Sequence, residues 1–157
     1  MTDPLSVTVA IVSLAQAAIG AGQEVFDLIS KLRGASAQLK QLKNEAGQLN
    51  RIIGNVIRLR GSCQESNLVR KNGESFKSIE QHLENIRQDM SKLRTIVEEL
   101  SGQPRTRLDR VKTPIKSVLR GRKIEELSSQ IVRHKRDLQL DLVIILGQVT
   151  DYILRSQ

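Results

Sequence analysis

Apolar residues recur at alternating steps of four and three along four stretches of this chain. The first runs Val7, Ile11, Leu14, Ala18, Ala21, Val25, Leu28 and Leu32. The second is Leu39, Leu42, Ala46, Leu49, Ile53 and Val56, and the third runs from Phe76 through Ile79, Leu83, Ile86, Met90, Leu93 and Val97 to Leu100. The last reads Ile124, Leu127, Ile131, His134, Leu138, Leu142, Ile145, Val149 and Tyr152. Such spacing puts one apolar stripe on one side of a helix, and a strand would instead need strict alternation. Four long amphipathic helices are therefore predicted, each with a single face to bury.

Turn chemistry falls between these runs. Gly34, Gly61, Gly73 and the Ser101-Gly102-Gln103-Pro104 segment stand where helix ends and turns belong. Asp3-Pro4 suits a helix start, with Asp3 as N-cap and Pro4 at the first helical position. Thr113-Pro114 should interrupt the region between 105 and 123, because a residue before proline avoids helical dihedrals. The expected architecture is all-α: an antiparallel bundle of four long helices, with a short broken helix before the last. Residues 1–157 read as a single domain, in which 1–33 form an N-terminal apolar helix and 104–123 a basic connector.

Composition narrows the class. One cysteine, Cys63, excludes an internal disulfide, and 39% hydrophobic content with three prolines argues against disorder. No P-loop, HExxH or GxSxG sequence occurs, so no enzyme, cofactor or small-molecule substrate is expected. His82 and His134 lack Cys or His neighbours at metal-ligand spacing, and no metal is expected either. Glu80, Glu84, Glu98 and Glu99 read as exposed helix charges paired with Lys77, Arg87 and Arg94.

The net charge of +8 opens two classes of partner, nucleic acid and anionic membrane. Its distribution separates them. Residues 1–30 hold three acids and no Lys or Arg, whereas 31–60 carry seven basic groups against Glu45. Arg105, Arg107, Arg110, Lys112, Lys116, Arg120, Arg122 and Lys123 then crowd a single stretch, with Asp109 the only acid. Basic groups near an anionic bilayer contribute on the order of 1 kcal/mol each. Nucleic acid is the weaker candidate. Phe26, Phe76 and Tyr152 are the only aromatics, and neither a zinc-finger spacing nor an aromatic RNA-binding motif is present.

Between Asp3 and Glu24 lie twenty residues without a charge, PLSVTVAIVSLAQAAIGAGQ. At about 1.5 Å per residue this length matches a hydrocarbon core of roughly 30 Å. Asp3 and the absence of leading basic residues argue against a secretory signal. Helical projection sets Ser6, Ser13, Gln16, Gly20 and Gln23 opposite the apolar stripe. Small neutral polar groups enter lipid at far lower cost than charged ones, so this helix is permitted to insert.

The opening Met1-Thr2-Asp3-Pro4-Leu5-Ser6-Val7-Thr8 and the alanine-rich stretch after it resemble the start of fungal HeLo-like domains. These are N-terminal domains of fungal NOD-like receptors and related STAND proteins. A second likeness runs from Val118 to Leu127 (VLRGRKIEEL) and continues through Arg133-His134-Lys135 to Leu138-Gln139-Leu140-Asp141-Leu142. The family often carries a tryptophan ahead of that basic segment; here Ser117 or a neighbour stands in its place. The resemblance implies a bundle similar to the HeLo domain and to that of the mixed lineage kinase domain-like pseudokinase. It implies a role in regulated cell death, innate immunity or heterokaryon incompatibility. Oligomerisation, driven by an upstream receptor or amyloid-type signalling partner, would release the first helix to attack anionic membrane. The inserting residues would be Leu5, Val7, Val9, Ile11, Val12, Leu14 and Ile19, with the eight basic groups of 105–123 on the headgroups. The protein would rest in the cytoplasm and act at the plasma membrane or another anionic membrane. The alternative is an adaptor with the same bundle that oligomerises without lysing membranes.

Overall fold

The computed structural model describes residues 4–32, 34–62, 73–101 and 107–156, with side chains given for 9–32, 34–58, 73–100, 121–147 and 154–155. Four helices account for almost all of them: α1 (Pro4–Lys31), α2 (Ala37–Ser62), α3 (Gly73–Ser101) and α4 (Arg107–Ser156). No strand occurs among the described residues. The protein is an all-α helical bundle.

Local chemistry explains most of the boundaries. α1 opens on Pro4 and closes near Gly34, whose φ of 69° is the left-handed conformation that glycine adopts without steric cost. In its last turn the Leu32 amide bonds back to the Ile29 carbonyl at 3.1 Å. Ser36 then caps α2, its hydroxyl accepting from the Leu39 amide at 3.2 Å. Gly61 stands at the end of α2, one residue before its last described residue, Ser62.

One expectation is corrected at α4. The short broken helix is absent as a separate element, and a single helix runs from Arg107 through Thr113-Pro114 to Ser156. Proline's own φ is helical, so it removes one hydrogen bond and crowds the preceding turn without forcing the chain to leave the helix. The extended preference of the residue before proline is a bias, and here the helix overrides it.

α2, α3 and α4 bury their predicted stripes among the described residues, apart from the partly buried Leu100 and His134. Leu42, Leu49 and Ile53 from α2 meet Ile79, Leu83, Ile86 and Leu93 from α3 and Leu127, Ile131 and Leu138 from α4 in one core. α1 packs on α2 and α3, and α4 packs on the same two helices, so α1 and α4 occupy opposite corners. The contacts set the directions. Asn50 reaches Ile19 while Lys43 lies over the Phe26 ring, so α1 and α2 run oppositely. His82 meets Asp141 and Asp89 meets His134, so α3 and α4 also run oppositely. Gln38 meets Gly121 and Glu45 meets Lys135, so α2 and α4 run the same way.

Candidate functional site

α1 is the candidate inserting element, and its burial departs slightly from the predicted stripe. Ile11, Ala15, Ala18, Val25 and Ile29 are buried, as is Gly22, while Leu14, Ala21, Leu28 and Leu32 are only partly buried along one flank. The seam is thus displaced by about one residue from the sequence stripe and is built on small side chains in its middle. The displacement follows from α1 touching two helices, so the largest side chains fill the shoulders and the smallest take the line of closest approach. Of the residues assigned to insertion, Ile11 is buried, Val12, Leu14 and Ile19 are half-buried, and Val9 is 55% exposed. Leu5 and Val7 lie in the helix, but their side chains fall outside the described residues, as does all of Asp3. Ser13, Gln16, Gly20 and Gln23 are exposed, giving an outer face with no charge up to Glu24.

Among the described residues, few polar contacts hold α1. The Asn50 side-chain amide donates to the Ile19 carbonyl at 3.4 Å, and Arg94 pairs with Glu24 at 2.8 Å in solvent. Lys43 stands 4.8 Å above the Phe26 ring. Asn50 lies directly over Gly22, where an added methyl would come within 2.5 Å of its Oδ1. One membrane-length apolar stretch occurs among the described residues, Val9–Lys31, by length and composition alone.

Residues 104–123 are less fully defined. Arg107, Arg110, Lys112, Lys116 and Arg120 lie in α4, but their side chains, and all of Arg105, fall outside the described residues. Arg122 and Lys123 are exposed, and Lys123 sits 3.5 Å from Glu126 on its own helix. Cys63 also falls outside the described residues.

The α3–α4 interface holds a cluster that sequence reasoning missed. His134 Nε2 lies 3.2 Å from Asp89 Oδ2, His82 Nε2 lies 3.6 Å from Asp141 Oδ2, and the two rings stand 6.0 Å apart. Asp89 is the one buried charged residue among those described, and Lys92 approaches it at 4.0 Å. Both histidine Nδ1 atoms are buried without a protein hydrogen-bond partner. The available signal was the place of His134 within an apolar stripe; its partner 45 residues away could not be read from spacing. No group of three or more His, Cys, Asp or Glu side chains among the described residues is arranged to hold a metal ion.

Across α2 and α4, Lys135 binds Glu45 Oε2 and Gln48 Oε1, each at 2.9 Å. α4 is therefore pinned to both of its neighbours by half-buried charged contacts. α1 is held mainly by apolar packing.

The described fold and candidate element define an all-α bundle whose first helix carries no charge as far as Glu24. Comparison with protein-family models, with curated proteins and with solved structures found no match.

Proposed function

We propose that this domain is a HeLo-like, membrane-targeting module of regulated cell death, whose first helix leaves the bundle and enters anionic membrane after oligomerisation. The observation that supports this reading most is the contrast between α1 and α4. α1 has an uncharged outer face as far as Glu24 and a small-residue seam, and its cross-helix polar contacts are few. Apolar packing is the one kind of contact that lipid can replace without leaving buried charges unpaired. The clamps on α4 have no such substitute in a bilayer. The basic first part of α4, from Arg107 to Lys123, would keep the body of the protein on anionic headgroups.

Free energy from a trigger or from self-association must drive the change, since the packed state otherwise persists. The decisive measurement is dye release from anionic and neutral vesicles. Ile11 is buried, so a charge there would disturb folding as well as insertion. Ser13 is exposed, and Ser13→Lys separates the two effects. A folded Ser13→Lys protein, verified by circular dichroism, is expected to lose leakage of anionic vesicles. Full leakage from it would overturn the insertion model.

The second reading is a non-lytic adaptor, favoured by the exposed apolar residues Leu140, Val143 and Ile144 on α4. It predicts association without leakage from vesicles of either composition.

A further inference from the structure

α4 is apolar on two sides over one part of its length. Leu138, Leu142 and Ile145 are buried in the core, while Leu140, Val143, Ile144 and Leu146 are roughly half exposed or more. No charged residue occurs from 142 to 150. A helix that is apolar all round belongs in an interior.

The exposed surface also has a shape. Val143 and Leu146 form an open groove of about 630 Å³ with Leu142 and with Ile52 of α2. The amides of Gln139 and Asn55 lie in its walls, and Arg58 stands at the α2 side. On α4 the wall is made by Gln139, Leu142, Val143 and Leu146, which share one side of the helix. From Gln139 to Leu146 that wall is about 10 Å long, or two turns of helix, and beyond it the Lys135 bridge to Glu45 and Gln48 crosses between α2 and α4.

Arg58 is the one charged residue among the described residues that line the groove. Arg51 and Arg58 are exposed along α2, and Arg136 is exposed along α4, 3.9 Å from Asp137. The nearest α2 carboxylate, Glu45, is already bound to Lys135.

We infer that the α2–α4 groove docks an amphipathic helix of a partner protein, one with an apolar stripe at helical spacing and acidic residues on its flanks. An apolar floor with two amides and an arginine on its walls matches the helix-in-groove mode of recognition. The charge complementarity favours an acidic helix over a second copy of this chain, which carries the same +8. A membrane surface is too flat to reach Ile52 and Leu142 between two packed helices. The inference stands apart from the insertion of α1, since it uses neither α1 nor residues 104–123.

The test uses the whole 157-residue chain and three fluorescein-labelled synthetic peptides of about 15 residues. One has leucines at helical spacing flanked by glutamates, one has the same leucines flanked by lysines, and one is the glutamate peptide scrambled. Anisotropy should show the glutamate peptide binding at least about tenfold tighter than either other. Raising the salt should weaken that binding. Val143→Lys and Arg58→Glu, both at exposed positions, should each weaken it about tenfold while the circular dichroism spectrum stays unchanged. Ser13→Lys should leave it unaltered, which separates this inference from the membrane reading. Equal affinity for the glutamate and lysine peptides would overturn it. So would a homodimer in light scattering that Val143→Lys dissolves, or vesicle binding that the same substitution abolishes.

Discussion

The contact between Gly22 and Asn50 shows how a single atom position ties α1 to α2. Alanine at position 22 gains helix propensity of about 1 kcal/mol over glycine. It also drives its methyl against Asn50 Oδ1, and Asn50 can yield only by giving up the Ile19 carbonyl. Gly22→Ala should therefore be close to neutral in the native protein and stabilising by about 1 kcal/mol beside Asn50→Ala. Urea unfolding of the four proteins in a double-mutant cycle measures that coupling, and additivity would remove the contact from the account. His134→Ala leaves Asp89 buried with only Lys92 at 4.0 Å, and is expected to cost about 1–3 kcal/mol. Adding Asp89→Asn should restore part of that loss, because the stranded charge is gone. On the surface, the Arg87 guanidinium beside Glu84 holds its carboxyl below the ordinary glutamate range, with Gln88 adding to the effect and partial burial opposing it. Carbon-detected NMR titration should find Glu84 below the ordinary glutamate range, and Arg87→Ala should return it toward that range. A carboxyl shifted this way favours the fold above its unfolded value and loses that effect as the pH falls.

The helices differ in what their buried faces are made of. α2, α3 and α4 present Leu, Ile and Met to the core, whereas the middle of the α1 seam is Ala15, Ala18 and Gly22. Truncating a large core residue opens a cavity, so Leu83→Ala or Ile131→Ala should cost about 2–5 kcal/mol. Differential scanning calorimetry would read both. In α1 the sensitivity is reversed: enlarging a seam residue, as in Ala18→Leu, overpacks a close approach and should cost about 1–3 kcal/mol. A seam of that kind makes an element tightly fitted in one register and easily lost from it. α4 carries the opposite character, since charged side chains on two of its faces fix its register against α2 and α3.

For the whole molecule, these differences predict a hierarchy of opening. The helix with the fewest polar ties among the described residues should separate first, and local opening free energies are set by such contacts. Hydrogen exchange followed by mass spectrometry should find residues 9–31 less protected than 79–97. Equal protection of the two segments would show that α1 opens only with the whole bundle, and would remove the physical basis for its release. The charge follows the same division, because the base-free first thirty residues and the two basic stretches are separate in the chain. A membrane-directed protein needs both parts, one to enter the hydrocarbon and one to remain at the headgroups.

Much of the fold was legible in single-helix periodicity. Leu42, Leu49, Ile53, Leu83, Leu93, Leu127 and Ile131 were all placed by their spacing and all are buried. Pro4 and Gly34 marked the limits of α1 because their preferred dihedrals act locally. Thr113-Pro114 misled for the same reason, as a local preference was weighed without the helix that overrides it. The uncharged face of α1 also followed from sequence, since a helical projection needs no neighbour. Periodicity could not tell which faces meet. The meeting of His82 with His134, the co-directional course of α2 and α4, the displaced seam of α1 and the groove beside Val143 all depend on contacts between helices distant in sequence. A stripe states that a helix must be covered; the directions and contact levels of the other helices decide what covers it and what is left open.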